Sequence, residues 1–224
     1  IILMELGISI CAYTKSIGPV SISMDRFQPE LLGQTPTGMP DAESSAQAEA
    51  YLEECMQNHN SAGGVVECVV DGVPAGIGEP VFDKLDACLA KAIMSGGAVK
   101  AVEIGDGCSV STAAGTENND AFYMENGQIA KKTNHAGGIL GGISDGSRIV
   151  LRAHIKPPPS VFSEQETANK NGEDILIDIK GRHDPVIVPR AVVVVESMTA
   201  LTLVDLIFAG MPSRMDGIKK FYGK

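Results

Sequence analysis

Apolar and polar positions alternate in several short runs of this 224-residue chain. Period-two alternation rich in β-formers predicts strands at Gly7–Gly18, Gly63–Gly76, Ala98–Gly105, Arg148–Ile155 and Asp174–Ile179. Two stretches carry helical spacing instead. Phe82–Ser95 places Leu85, Leu89, Ala92 and Ile93 on one face. Ala42–Asn58 follows Asp41, a residue type favoured at helix N-caps. A last helix is predicted from Arg190 to about Ala209; its valine run suits a strand, but its length favours a helix. It is apolar nearly all round, which predicts burial on most sides. Arg26–Pro40, with its prolines and glycines, reads as a surface connection. Asn118–Thr133 is polar with Asn-Gly at its centre and reads as an exposed hairpin arm. Half-buried strands alternating irregularly with helices predict an α+β fold of antiparallel sheets packed on an internal helical layer.

Composition narrows the classes. Hydrophobic residues at 44% and charged residues at 21% suit a globular chain and exclude a disordered one. Eighteen basic against 28 acidic residues give a net charge of −10. With no basic stripe, this argues against a nucleic-acid partner. No apolar run approaches the roughly 20 residues that span a bilayer. The longest, Val186–Ala209, is interrupted by Pro189, Arg190, Glu196 and Asp205, so no membrane partner is expected. The opening "IILMELGISI" lacks the basic start and cleavage site of a signal peptide. Five scattered cysteines without a C-x-x-C pair read as reduced thiols in a cytoplasmic protein. The chain begins at Ile1, inside what reads as structure already under way, and is expected to be part of a longer one.

Three segments carry candidate chemistry. Thr133–Gly146, "TNHAGGILGGISDG", holds five glycines (Gly137, Gly138, Gly141, Gly142, Gly146), more than tight turns alone require. A backbone that a ligand can approach closely is the favoured reading, although the pattern matches neither the G-x-G-x-x-G nor the P-loop form. "HIKPPPS" sets Lys156 at a strand end before rigid prolines, where it is either solvated or meets an anion. "GRHDP" gathers Arg182, His183 and Asp184. Its guanidinium suits phosphate or carboxylate, the plainer reading being a structural salt-bridge cluster. The four histidines show no ligand spacing, so no metal is expected. Gly142–Gly146 spells G-x-S-x-G, but no Ser-His-Asp hydrolase is expected.

Taken together these segments resemble one family, the chorismate synthases. The resemblance rests on "GGVVECVVDGVPAGIGEPVFDKLDACLAKAIMS", "AVKAVEIGDG", "NHAGGILGGISDG", "KPPPS" and "GRHDPVIVPRAVVVVESMTALTLVDLI". It implies a β-α-β sandwich, residues 1–224 as a single domain, and assembly as a homotetramer. It also implies conversion of 5-enolpyruvylshikimate 3-phosphate to chorismate by anti-1,4-elimination of phosphate, with reduced FMN as cofactor and no net redox change. The flavin contacts it implies are Gly97, Ala98, Gly141, Lys156, Pro157, Pro158, Pro159, Ser160 and Arg182. Asp184 is the implied catalytic proton-handling residue, and Asn134 and His135 would lie near the pocket. No added reductase segment is visible, so free reduced FMN rather than self-reduction with NADPH is expected.

The chain departs from the family pattern at Val186, where a cysteine is usual, at Pro158, where a threonine is usual, and at Gly97, where some members have asparagine. The family's catalytic histidines, its substrate-binding arginines and its "RSS"-type motif have no counterpart here. The alternative is a non-catalytic flavin-binding or oligomerisation module.

Overall fold

The computed structural model describes residues 1–125, 127–181, 183–211 and 215–223. After a short helix α1 (Ile2–Glu5) come strands β1 (Ser9–Ile17) and β2 (Val20–Ser21), helix α2 (Ala42–Gln57) and strand β3 (Gly64–Asp71). Helix α3 (Leu85–Met94) leads to β4 (Val99–Ile104). Two small hairpins follow, β5 (Phe122–Glu125) with β6 (Gln128–Lys131) and β7 (Ile139–Leu140) with β8 (Ile143–Ser144). The chain continues through β9 (Ile149–Ile155), β10 (Gln165–Ala168), β11 (Asp174–Ile177), α4 (Val188–Gly210) and α5 (Met215–Phe221). The main sheet has the order β2-β1-β3-β9-β4, and β10 pairs antiparallel with β11. The fold is α+β, as the pattern predicts.

The residues cluster into two compact units. The first comprises Ile1–Ala12, Glu67–Ala153 and Val193–Lys224; the second comprises Tyr13–Val66 and His154–Val192. In the first, α3 buries Leu85, Leu89 and Ile93, the face its spacing predicts. Strand β9 buries Ile149, Leu151 and Ala153, every second residue. On β3 the buried Glu67 carboxylate is matched by Arg152 Nε at 2.6 Å. Burial pushes the neighbouring Cys68 thiol up to about 12, against a weaker opposing bond from Thr199.

In the second unit, Asp41 caps α2 as expected, accepting the Glu43 and Ser44 N–H groups. Its other oxygen accepts the Ser23 N–H, the Ser44 hydroxyl and Arg26 Nη2. Burial pushes this carboxyl up, but those bonds outweigh it and hold the group far below the usual carboxylate range.

Helix α4 differs from the sequence reading in one respect. Val195, Thr199, Leu203 and Leu206 form a buried stripe at helical spacing, yet Val193, Val194, Leu201 and Phe208 are exposed. Apolar character all round does not supply a packing partner for every face. By length and composition alone α4 could cross a membrane, at a mean hydropathy of 2.0, a test that a core helix also passes. Its Glu196 accepts the Ala12 N–H at 3.0 Å.

Candidate functional site

The glycine loop belongs to the first unit. Gly141 and Gly142 form the tip of the β7–β8 hairpin, with φ of +62° and +91°. A two-residue hairpin turn of the I′ type needs positive φ at both positions, so part of the glycine run is turn chemistry after all. Gly137, Gly138 and Gly142 are also required by packing. A Cβ there would lie 2.3 Å from Gly105 N, 2.6 Å from Arg148 O and 2.4 Å from Lys84 Cγ respectively. At Gly141 a Cβ would meet nothing within 4 Å, and the same holds for Gly97. Ala98, beside Gly97 in the turn between α3 and β4, takes the left-handed conformation at φ +68°.

A buried charge cluster holds this loop, and no motif in the sequence announces it. Lys131 Nζ, at the end of β6, reaches Asp145 Oδ2 at 2.7 Å, Asn134 Oδ1 at 3.2 Å and Asp120 Oδ2 at 3.4 Å. The Lys131, Asp120 and Asp145 side chains are only 4%, 4% and 9% exposed. Asp120 also accepts the His135 and Ala136 N–H groups and the Thr133 hydroxyl. Burial alone would raise its pKa. The Ala136 N–H, the Thr133 hydroxyl, the His135 N–H and the Lys131 charge outweigh that and lower it to about 2. Asp145 is pushed up by burial and, more strongly, down by Lys131 and Ser147. The hairpin arm is therefore exposed along β5, as predicted, but buried at its root.

Asn134 accepts the Gly138 N–H at 2.9 Å and donates to the Arg148 carbonyl at 2.8 Å. His135 is fixed three times. Its N–H goes to Asp120, its carbonyl accepts the Asp106 N–H, and its Nδ1 lies 2.6 Å from Asp106 Oδ2.

The other candidates belong to the second unit. Lys156 is exposed just beyond β9. The prolines after it are held by their carbonyls: Ser61 donates to Pro158 O at 2.6 Å and Gln165 to Pro159 O at 3.0 Å. Ser160 and Asp184 come together in the wall of a cavity of about 160 Å³, with Met56, His59, Phe162 and His183. The Phe162 ring meets His183 edge to face at 4.7 Å and His59 at 6.2 Å. His183 Nε2 lies 3.0 Å from the Ile179 carbonyl; a carbonyl only accepts, so Nε2 is the donor in this bond. Ala62 donates to Pro185 O at 2.7 Å and bridges Val186, pinning the turn that carries Asp184. Asp184 Oδ2 is paired with Arg190 Nη2, a partner the sequence reading missed. Arg182 lies outside the described residues. Among the described residues no group of three His, Cys, Asp or Glu is placed to hold a metal ion.

The open glycine hairpin tip belongs to the first unit of this α+β fold, and the aromatic-walled cavity with its carboxylate to the second. A family model described as chorismate synthase matches residues 1–208. The chain is 61% identical over 224 residues to a chorismate synthase of Lachnoclostridium phytofermentans, and 57% identical over 223 residues to one of Lachnospira eligens. All of this chain is covered in both cases, against 61% of each relative. A crystal structure of a chorismate synthase superposes with a TM-score of 0.77 at 27% identity, covering 99% of this chain and 63% of that one. The chain belongs to the chorismate synthase family. It spans about 61% of the length of the curated relatives it matches.

Proposed function

We propose that this chain is part of an enzyme that converts 5-enolpyruvylshikimate 3-phosphate to chorismate and phosphate with reduced FMN. The observation that carries the reading is 61% identity to a named chorismate synthase along the whole chain.

The residues fit the cofactor. Gly97 and Gly141 have open space where a side chain would stand, which lets a flat ring approach their backbone. The cavity beside Asp184 offers aromatic and apolar walls, a hydroxyl and a carboxylate. At about 160 Å³ it is smaller than the roughly 300–1,000 Å³ of whole-ligand pockets, so it would take only a portion of the group. The chemistry that bound reduced FMN would supply is a transient electron for the substrate as phosphate leaves, with no net redox change. Gly97, Ala98 and Gly141 would supply backbone contact. Lys156 and Arg182 would balance the anionic charge of flavin and substrate, while Pro157, Pro158, Pro159 and Ser160 would contact the flavin from a segment whose Pro158 and Pro159 carbonyls are held by Ser61 and Gln165. Asp184 would accept and return a proton at its carboxylate, which requires close and fixed placement. Asn134 and His135 would shape the loop that bears Gly141. The enzyme would act as a homotetramer in the cytoplasm, with reduced flavin supplied from outside rather than through NADPH.

The test is a chimera in which this chain replaces the matching segment of the Lachnoclostridium enzyme, assayed anaerobically with reduced FMN and substrate. Phosphate release with chorismate formation is expected. A folded chimera that binds reduced FMN but releases no phosphate would make this chain a non-catalytic flavin-binding module and sink the proposal.

A further inference from the structure

We infer that Arg190 is a positioning residue that fixes the Asp184 carboxylate for proton transfer. The inference rests on the proposed reaction and deepens it. Arg190 Nη2 engages Asp184 Oδ2, one of two equivalent oxygens. That engagement restricts rotation of the carboxylate and leaves Oδ1 to a ligand. Arg190 has no place in the wall of the cavity that Asp184 lines, so it acts on the aspartate from outside that cavity.

Both ends of the pair are rigid. Asp184 precedes Pro185, which limits its backbone to extended conformations. The Pro185 carbonyl is held by the Ala62 N–H at 2.7 Å, and Val186 bridges Ala62. Arg190 stands in the first turn of α4, behind Pro189, with its N–H on the Ile187 carbonyl at 3.1 Å. A proline so near a helix start is pre-set for the helical backbone. The pair therefore joins a pinned turn to a rigid helix end.

Its exposure argues for orientation over stability. The Asp184 side chain is 47% exposed and that of Arg190 65%, and exposed pairs add little to folding. A planar guanidinium still imposes direction on a carboxylate, which an ammonium does less well.

The experiment compares Arg190→Met, Arg190→Lys, Asp184→Asn and the double variant in the active enzyme that carries this chain. Arg190→Met should lower kcat by about tenfold or more with KM within about twofold, because a small misplacement of a reacting group costs up to about a hundredfold. Arg190→Lys should recover part of the loss. The double variant should be no slower than Asp184→Asn, since both changes act through one carboxylate. A kcat within about twofold for Arg190→Met, or losses that multiply in the double variant, would overturn the inference.

A second readout needs no turnover. Three-bond couplings about χ1 of Asp184, measured without flavin on the full enzyme that carries this chain, should report one rotamer in the parent and averaging in Arg190→Met; unchanged couplings refute the positioning role. If Asp184→Asn keeps full activity while the couplings still average, the catalytic reading of Asp184 fails and the positioning stands. The two failures are thus told apart.

Discussion

Replacing Lys131 with methionine tests whether the charge cluster under the glycine loop is a foundation of this fold. Methionine keeps the length and apolar stem of lysine, so the change removes charge and little volume. It strips a cation from two carboxylates that are 4% and 9% exposed. Breaking a buried ion pair in this way costs about 3–5 kcal/mol. The low end applies here. Asp120 keeps two backbone N–H groups and the Thr133 hydroxyl, and Asp145 keeps the Ser147 N–H at 2.8 Å. A loss of about 3 kcal/mol corresponds to a fall in Tm of about 6–12 °C. With a urea m-value of about 2–3 kcal/mol/M it lowers the midpoint by about 1–1.5 M.

The control is Asp71→Asn. This removes the charge that Arg148 holds through bonds of 2.7 and 2.8 Å, but there both side chains are about half exposed. Its loss should stay below about 1 kcal/mol despite the good geometry. Urea unfolding of both variants at pH 7 decides the matter. Equal losses would refute the argument that burial, not bond length, sets the magnitude.

Acid supplies an independent check. The folded pKa of Asp120, about 2, lies below the usual carboxylate value of 3.8, so the unfolded chain binds the extra proton between them. Stability from this group is complete above about pH 4 and is lost as pH falls toward 2, by about 2 kcal/mol. In Asp120→Asn that part of the acid slope should vanish.

Asp41→Ala removes a helix cap together with the carboxylate that Arg26, Ser23 and Ser44 share; it should cost at least the roughly 0.5–2 kcal/mol of a cap, read as a lower thermal midpoint by circular dichroism. Cys68, fully buried with its thiol pushed up to about 12, should resist a thiol reagent at pH 8 until the chain unfolds, while exposed Cys108 should react first; early labelling of Cys68 would contradict its burial. Gly142→Ala should destabilise by more than Gly141→Ala, because its Cβ would collide with Lys84 and the other would meet open space. Gly141→Ala should cost about 1–2 kcal/mol from its left-handed backbone alone and yet weaken reduced-FMN binding; unchanged flavin affinity would remove Gly141 from the site.

Much of the fold was legible because it follows period and capping. The α3 face, the β9 alternation and the Asp41 cap each depend on residues a few positions apart. What depends on distant partners was not legible. Strand β10, "QETA", carries almost no β-forming side chains and exists by pairing with β11, Gln165 opposite Ile177. The periodicity of α4 identified its apolar faces but not which of them would find a partner. The Lys131 cluster joins residues 11 and 14 positions apart through a folded loop, with no pattern that marks it in advance. In the candidate site, the glycine run was seen as a unit, whereas packing claims Gly137, Gly138 and Gly142 and leaves Gly141 open. Asp184 was singled out by motif; its partner Arg190 lies six residues on, behind two prolines, where motif reading gives no weight to a single arginine.

The β5–β6 arm has its buried charges at the root, Asp120 just before β5 and Lys131 at the end of β6, while Phe122, Tyr123, Met124 and Ile129 further out are exposed. The two parts answer to different constraints. Substitutions at the root reach the glycine loop, whereas residues added at the tip meet only a slowly growing closure entropy, about 0.6 kcal/mol for each doubling of loop length. The arm is thus a permissive port in the molecule, a place where a tag, a reporter or an inherited insertion can be carried while the loop beneath it keeps its shape.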